Sequence, residues 1–285
     1  MTVHAISVLG AGLMGRGIAY ASALGGFRTL LFDSSAAALE KGVADITATL
    51  EKGVATGKVE GEDAVGARQR LEISRSLEEA AAGADLVIEA VPESMEVKLG
   101  IFRTLDQQAK PEAILASNTS SLSITEMAAA TSRAGRVLGM HFFNPVHRMK
   151  LLEVVRALET TDATVAEAVA VGERMGKECV VVRESPGFVT TRINALIGNE
   201  AFYMLQEGVA DARDIDRALK LGLNHPMGPF ELVDLVGLDT RLSILRHLHR
   251  MLGEKFRPCP LHEQYVAAGR LGRKAGRGVY EYPDS

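Results

Sequence analysis

Three closely spaced glycines near the start of the chain restrict its possible folds more than any other feature. Gly10, Gly12 and Gly15 follow an apolar run at residues 5–9 and open a helical pattern, and a second apolar run occupies residues 28–32. The glycines therefore lie at the first turn of a strand, helix and strand unit. There the first glycine permits a tight turn, the second lets the backbone approach a pyrophosphate, and the third lets helix and strand pack closely. The pattern predicts a dinucleotide-binding unit.

The acidic residue after the second apolar run indicates which dinucleotide is bound. Asp33 lies eighteen residues after Gly15, where a carboxylate can accept hydrogen bonds from ribose hydroxyls and would repel the extra phosphate of NADP. We therefore predict NAD, with its pyrophosphate at the first helical turn, where Leu13 and Met14 carry unpaired backbone N–H groups. The alternative is that Asp33 is an ordinary helix cap before residues 34–35.

Composition and charge narrow the class of protein. A chain of 285 residues with 47% hydrophobic residues is long enough for about two domains with real cores. A net charge of −4 and an isoelectric point near 6.0 argue against nucleic acid or an anionic membrane as a partner. No apolar stretch approaches the ~20 residues that span a bilayer. With two cysteines and no recognisable leader, we expect a cytoplasmic protein that binds small molecules.

Apolar runs and helical segments alternate through the first part of the chain. Runs typical of strands occupy residues 5–9, 28–32, 70–74, 85–90, 113–117, 136–142 and 180–183. Most are almost wholly apolar, as in strands that are covered on both faces. Amphipathic segments separate them, chiefly at residues 36–54 and 96–109. We predict an α/β fold, with a Rossmann-type doubly wound and mostly parallel sheet that forms an NAD-binding domain over residues 1–184.

Beyond Glu184 the pattern becomes helical. Pro186 and Gly187 interrupt the chain, and a period of about 3.6 residues follows without convincing strands. Candidate helices occupy residues 189–205, 212–221, 229–251 and 261–268. We predict an all-α C-terminal domain over residues 185–285 that serves substrate binding and dimerisation. Because the 229–251 segment is apolar around much of its circumference, we expect part of it to form a homodimer interface.

Polar side chains follow two of the predicted strands, at the edge of the sheet where ligands of such folds bind. Small polar residues at 117–121 follow one strand, and His141 ends another. Oxidising an alcohol by hydride transfer requires a base for the hydroxyl proton, and histidine titrates near neutral pH. Glu153, twelve residues further on, could orient the imidazole through its far nitrogen. The alternative is a hydrogen-bonded histidine with a purely structural role.

Longer motifs occur in both parts of the chain. They are GAGLMG at 10–15, ASNTSSLSITE at 116–126, GMHFFNPV at 139–146, KLLEVV at 150–155, SPGFV at 185–189, LGLNHPMGPFELVDLVGLDT at 221–240 and LGRKAGRGVYEY at 271–282. With these motifs in this order, the chain resembles the short-chain L-3-hydroxyacyl-CoA dehydrogenases, and most closely the bacterial 3-hydroxybutyryl-CoA dehydrogenase group. The resemblance covers nearly the whole chain. It implies reversible NAD-dependent oxidation of a short (S)-3-hydroxyacyl-CoA to the 3-ketoacyl-CoA.

The resemblance also implies roles for individual residues. His141 would be the catalytic acid and base, Glu153 its orienting partner, and Ser120 a hydrogen-bond donor to the 3-oxygen of the substrate. The residues implied around NAD, besides the glycine loop and Asp33, are Glu93, Lys98, Ser120, Asn144 and Lys274, and Ser120 and Asn144 would also lie near the substrate. Without the resemblance, Glu93 and Lys98 could be a solvated helix start and Lys274 a surface charge.

One position departs from the family pattern. Where the family often has Asn in a PGFVxNR segment, this chain has Thr191. A threonine hydroxyl donates one hydrogen bond but reaches less far than an amide, so we expect its role to persist through a rearranged contact or a water. Asn194, one helical turn later, is a second candidate for the same contact.

Coenzyme A carries phosphates, so a cationic patch is expected beside the substrate. Lys41, Lys52 and Lys58 lie on or just beyond the predicted helix after Asp33. We expect at least one of them, first of all Lys52, to contact a CoA phosphate, and a solvated helix face is the alternative. We predict no metal site, because the histidines and cysteines lack the spacing of metal ligands.

Two other functions remain open from the sequence. A related dehydrogenase of a non-CoA hydroxy substrate, as in the gulonate dehydrogenase and lambda-crystallin group, would share the fold and the histidine but not the dependence on CoA. A non-catalytic NAD-binding protein would fit the change at Thr191. The retained Ser120, His141 and Glu153 argue against that second alternative.

Overall fold

The structure is a computed structural model that describes residues 2–282. The strands over these residues are β1 (Ala5–Leu9), β2 (Arg28–Phe32), β3 (Leu71–Ile73), β4 (Leu86–Glu89), β5 (Ile114–Ser117), β6 (Val137–Phe142), β7 (Leu151–Arg156) and β8 (Glu178–Arg183). The helices are α1 (Leu13–Leu24), α2 (Ala36–Ala55), α3 (Gly61–Arg70), α4 (Leu77–Ala82), α5 (Met95–Gln108), α6 (Ile124–Ala129), α7 (Asp162–Arg174), α8 (Thr190–Gln206), α9 (Ala212–Gly222), α10 (Pro229–Val236), α11 (Leu238–Leu252) and α12 (Pro260–Ala267). The chain divides into two compact units, residues 1–185 and residues 186–285, called here the α/β unit and the helical unit.

The α/β unit is built on one sheet with the strand order β3-β2-β1-β4-β5-β6-β7-β8. Neighbouring strands run parallel except for β6 and β7, which are antiparallel. This sheet confirms the predicted α/β class with a Rossmann-type, mostly parallel arrangement. β1 lies between β2 and β4, so the order reverses there, and ligands of such sheets bind at that crevice. The edge where β1, β4, β5 and β6 all end is called here the carboxyl edge.

The central strands are covered on both faces. Every residue of β1, β4, β5 and β6 is buried, which explains why the sequence shows continuous apolar runs rather than alternation. Hydroxyl side chains begin several of the surrounding helices: Ser35, Ser76 and Thr161 each accept a backbone N–H in the first turn of α2, α4 and α7. Local capping and the burial of strands together place the loops at the carboxyl edge.

The opposite edge of the sheet is fastened by a carboxylate that has no part in the crevice. Asp85, directly before β4, accepts the backbone N–H groups of His4 and Ala5 and pairs with Lys110 at 2.7 Å. Burial raises the pKa of Asp85, but the hydrogen bonds from Lys110 and the two backbone groups outweigh it, so the pKa is lower than usual. Asp85 therefore holds the start of β4 to the start of β1 as a carboxylate.

The helical unit differs from the prediction in one element. The single helix predicted over residues 229–251 is wrong, because α10 ends and α11 begins at Gly237. Gly237 has φ of +104° and ψ of 128°, a conformation outside the helical region that glycine adopts without steric cost. Its N–H still donates to the Val233 carbonyl, which closes the last turn of α10. The apolar pattern runs on across this break, so periodicity alone did not reveal it.

No helix within residues 2–282 is long and apolar enough to cross a membrane.

Candidate active site

The glycine loop has the shape of a phosphate cradle. A Cβ atom at Gly10 would lie 2.7 Å from the Ala90 carbonyl oxygen, and one at Gly15 would lie 1.7 Å from the Gly10 carbonyl oxygen. A Cβ at Gly12, by contrast, would have nothing within 4 Å. Gly12 is also the N-cap of α1, where no side chain caps the helix and no acidic residue occupies the first turn. The open space and the unpaired N–H groups fit the pyrophosphate of a dinucleotide.

Asp33 fastens this loop. One carboxylate oxygen accepts the Ala11 N–H at 2.8 Å and the other accepts the Ser35 N–H at 2.8 Å. The cap of α2 is Ser35, whose hydroxyl accepts the Ala38 N–H, so the alternative reading of Asp33 as that cap is wrong. Each oxygen of a carboxylate has capacity for a further donor, which is compatible with a bond from a ribose hydroxyl.

His141 and Glu153 form a buried pair at the end of β6. They stand directly opposite each other in the antiparallel β6–β7 register, and His141 Nδ1 lies 2.7 Å from Glu153 Oε2. His141 is 7% exposed and Glu153 is 1% exposed. With the carboxylate at Nδ1, the imidazole is held in one orientation, and proton transfer falls to Nε2 on the other side of the ring. Such a pair can accept a proton at Nε2 and stabilise the resulting imidazolium.

Ser120 lies in the loop after β5, called here the serine loop (residues 117–122). Its N–H donates to Glu93 Oε1 at 3.1 Å, and the same oxygen accepts the Thr119 hydroxyl. The Ser120 hydroxyl is half-buried and, among residues 2–282, has no hydrogen-bond partner. A second link holds the base of the loop, since the Phe142 N–H donates to Asn118 Oδ1 at 2.9 Å. The serine loop and the His141 strand are therefore joined directly.

Lys98 and Glu93 do not form a solvated helix start. Lys98 is 1% exposed, and its Nζ lies 2.7 Å from Glu89 Oε1 and 3.4 Å from Glu93 Oε2. The Glu93 side chain is 41% exposed and faces both Lys98 and the serine loop. The two residues thus belong to the carboxyl edge, between the ends of β4 and β5.

A cavity of about 500 Å³ lies beside α1 and α2 in the α/β unit. Four basic side chains line it, Arg16, Lys52, His147 and Arg148, together with Asn144 and with the acidic Asp45, which pairs with Arg16. Burial, followed by nearby positive charges, lowers the pKa of His147 below its usual value. Those charges belong to Arg148, Lys177, Lys58 and Lys52. The cavity is an electropositive site that suits an anionic group.

The three candidate lysines differ in their surroundings. Lys52 lines the cavity, and the positive charge of Lys58 is close enough to His147 to lower the pKa of that ring. Lys41 instead pairs with Asp45 at 3.1 Å, and Asp45 also pairs with Arg16. The structure therefore separates Lys52 and Lys58 from Lys41, which already has an acidic partner.

Two predicted site residues belong to the helical unit. Thr191 lies half-buried in the first turn of α8, and Asn194 follows it one turn later on the same helix. Lys274 is about half exposed and its Nζ donates to Asp239 Oδ2 at 2.7 Å. Lys274 thus has an acidic partner within its own unit.

Sequence reasoning missed several side chains of the site. Glu89 is fully buried at the end of β4, and Arg16, His147 and Arg148 line the cavity. Glu89 carried a recognisable signal, because a charged residue inside an otherwise apolar, covered strand needs a partner. The cavity residues carried none, since their proximity arises from the packing of α1 and α2 against the loop after β6.

The comparisons with known proteins agree with this geometry. Residues 5–185 match the family model described as 3-hydroxyacyl-CoA dehydrogenase, NAD binding domain, and residues 187–282 match that of the 3-hydroxyacyl-CoA dehydrogenase, C-terminal domain. A probable 3-hydroxybutyryl-CoA dehydrogenase of Bacillus subtilis is 48% identical over 285 residues, which is 100% of this chain and 99% of that protein. A 3-hydroxybutyryl-CoA dehydrogenase of Bradyrhizobium diazoefficiens is 47% identical over 98% of this chain and 96% of its own length.

A solved structure gives the same result. The (S)-3-hydroxybutyryl-CoA dehydrogenase of Ralstonia eutropha superposes with a TM-score of 0.94 at 44% identity, covering 99% of each chain. The predicted NAD cofactor is confirmed by the description of the N-terminal family model. On these matches, which span both units, the chain belongs to the 3-hydroxyacyl-CoA dehydrogenase family.

Proposed function

We propose that the chain catalyses the reversible NAD-dependent oxidation of a short (S)-3-hydroxyacyl-CoA, 3-hydroxybutyryl-CoA in the first place, to the 3-ketoacyl-CoA. The observation that carries this proposal is the buried His141–Glu153 pair at 2.7 Å, on the same sheet edge as the glycine loop and the serine loop. The names of the relatives support the substrate class.

Residues at the carboxyl edge are proposed to hold the cofactor. The glycine loop with Leu13 and Met14 would take the pyrophosphate and Asp33 the ribose. The other proposed cofactor residues are Glu93, Lys98, Ser120, Asn144 and Lys274. When bound, NAD⁺ supplies the acceptor for the hydride that leaves the C3 carbon.

His141 performs the proton transfer. As C3 is oxidised, the hydroxyl O–H bond breaks, its proton moves to His141 Nε2, and the electron pair left on oxygen forms the C=O bond. Glu153 at Nδ1 stabilises the imidazolium that results. In reduction the same nitrogen returns the proton. The Ser120 hydroxyl donates to the 3-oxygen, and Thr191 is proposed as a second, weaker donor.

The electropositive cavity is the proposed site for phosphate of coenzyme A. Lys52 lines it together with Arg148 and Asn144. A hydroxy acid that is not joined to CoA has no phosphate for these cations to bind. The cavity therefore favours the CoA thioester over the non-CoA alternative.

We further propose that the chain acts in the cytoplasm as a homodimer formed through the helical unit. Support for the dimer comes from exposed apolar side chains in the segment that the sequence assigned to an interface, among them Leu235 and Met251. Support for a reducing compartment comes from Cys179 and Cys259, which are both free thiols.

The test is the oxidation of NADH by acetoacetyl-CoA, followed at the NADH absorbance. We expect turnover with acetoacetyl-CoA and NADH, little with NADPH, and little with acetoacetate that lacks CoA. A series of 3-ketoacyl-CoA substrates of increasing length then gives the chain preference, which we expect to favour four carbons. Turnover of free hydroxy acids without any CoA preference would contradict the proposal.

A further inference from the structure

A buried ion pair lies behind the serine loop. Lys98 is 1% exposed and Glu89 is fully buried, and Lys98 Nζ lies 2.7 Å from Glu89 Oε1. Burying two opposite charges is often no more stabilising than an apolar pair of the same volume, because both charges lose their hydration. Stability alone therefore does not account for this pair, and its contacts indicate a second role.

Glu89 connects the ion pair to the base of the serine loop. Its Oε2 accepts the Ser117 hydroxyl at 2.7 Å, and the Ser117 oxygen in turn accepts the Thr119 N–H at 3.2 Å. Its Oε1 also accepts the Val91 N–H at 2.7 Å. Because Glu89 ends β4 and Ser117 ends β5, this carboxylate joins the two strands at the carboxyl edge.

Lys98 reaches the same loop by a second route. Its Nζ lies 3.4 Å from Glu93 Oε2, and the other oxygen of Glu93 accepts the Ser120 N–H and the Thr119 hydroxyl. The Thr119 oxygen also accepts the Leu122 N–H at 2.9 Å. The serine loop is thus held at its base through Glu89 and at its tip through Glu93, and Lys98 links the two carboxylates.

We propose that Glu89 and Lys98 are positioning residues that hold the serine loop so that the Ser120 hydroxyl meets the substrate oxygen. This inference rests on the proposed function, in which Ser120 acts on the 3-oxygen. It gives Lys98 a role beyond a place near NAD, since the buried ammonium orients Glu93 and Glu89 together. Without the ammonium, the two carboxylates would repel each other and the loop would lose its common anchor.

An apolar replacement of the whole pair separates positioning from stability. The double variant Glu89→Leu/Lys98→Met removes both charges, so it is expected to fold and to melt at a higher temperature than Lys98→Met alone. Its melting temperature should lie below that of the parent, because the Ser117 hydroxyl and the Val91 N–H lose their acceptor. We expect its kcat for acetoacetyl-CoA reduction to fall at least about tenfold. The single variant Lys98→Met should show the same kinetic loss together with a lower melting temperature, since Glu89 is then buried without its cation.

Lys110→Met is the matched control, because Lys110 pairs at 2.7 Å with Asp85 at the opposite end of β4. It should keep kcat within about twofold of the parent. A double variant with the same kcat as Lys110→Met would overturn the proposal.

Amide hydrogen exchange gives a readout that does not depend on turnover. Peptides that cover residues 117–122 should exchange faster in the double variant than in the parent, and at the parent rate in Lys110→Met. Unchanged exchange of these peptides in the double variant would overturn the positioning role, whatever the kinetics. If the parent does not reduce acetoacetyl-CoA, the proposed function fails, and the exchange experiment still decides whether the ion pair holds the loop.

Discussion

At the scale of single residues, the proposed proton transfer depends on one imidazole and the carboxylate that faces it. His141 and Glu153 are both almost fully buried and lie opposite each other on antiparallel strands. A buried carboxylate at Nδ1 fixes the orientation of the ring and leaves Nε2 for the substrate proton. The two residues therefore act as one unit, and changes at either should not be additive.

Replacing His141 by Gln should lower kcat for acetoacetyl-CoA reduction at least ~100-fold, because a glutamine amide cannot donate and accept the proton in place of the imidazole. NADH affinity, measured by quenching or enhancement of its fluorescence, should be kept. His249→Gln is the control, since His249 is on α11 in the helical unit and pairs with Glu254. Near-parental turnover in His141→Gln would show that this histidine is structural.

Two glycines of the same loop are expected to respond in opposite ways to alanine. Gly12→Ala adds a methyl group to open space, so the protein should fold as before while the KM for NADH rises, because the methyl occupies the proposed pyrophosphate position. Gly15→Ala would place its Cβ 1.7 Å from the Gly10 carbonyl oxygen, so it should destabilise the α/β unit strongly. Melting temperatures and NADH titrations of both variants check this. Gly12→Ala with unchanged NADH affinity would contradict the cradle.

At the scale of elements, His262 shows how packing sets the protonation of a buried ring. It lies on α12, is 1% exposed, stacks on Phe202 of α8 at 4.5 Å, and its Nε2 lies 3.0 Å from the Leu238 carbonyl oxygen. Burial lowers the pKa of His262 from 6.5 to about 4. The neutral ring is therefore the form that the packed helices accept.

The lowered pKa predicts how stability depends on pH. As the pH falls, the unfolded chain binds a proton at His262 before the folded chain does. The contribution of the neutral ring to the free energy of unfolding is therefore fully present above pH 6.5 and is lost as the pH falls toward about 4. Over that range the loss amounts to about 3 kcal/mol of unfolding free energy. Urea unfolding at several pH values, followed by circular dichroism, gives the free energy of unfolding as a function of pH. Its slope between pH 4 and 6.5 should be smaller in His262→Gln than in the parent. An equal slope in His262→Gln would contradict the assignment.

Elements also show where sequence patterns reached their limit. Strand β7 was not predicted, whereas β1, β2, β5 and β6 were predicted to within one residue at each end, because continuous apolarity is a local signal. The break between α10 and α11 at Gly237 was not predicted, since an isolated glycine in an apolar helical pattern is compatible with an unbroken helix. The alternative interpretation of Lys98 as a solvated charge was wrong for a similar reason: its local sequence is that of a helix start, whereas the structure buries it beside Glu89 of β4.

At the scale of the whole molecule, the proposed homodimer gives a direct test of the 229–251 segment. In the single chain, Leu235 is 48% exposed and Val236 is 39% exposed. The double variant Leu235→Glu/Val236→Glu should dissociate the dimer, because two charges in an apolar interface lose their hydration. Sedimentation or light scattering measures the mass. Leu158→Glu, at an exposed leucine of the α/β unit, should leave the dimer intact, and a double variant that stays dimeric would place the interface elsewhere.

Local patterns in the sequence were enough to predict the class of fold, the dinucleotide cradle, the helical C-terminal part and the candidate pair His141 and Glu153. These depend on local rules: glycine where the backbone must turn or approach a ligand, apolar runs where strands are covered, and residue types suited to proton transfer. Tertiary structure alone decided that His141 faces Glu153 in register, that Glu89 and Lys98 are buried together, and that Arg16, Lys52 and His147 share a cavity. The reason is that a sequence pattern describes each segment's own burial and backbone, whereas a contact between distant segments depends on how their faces pack, which no single segment encodes.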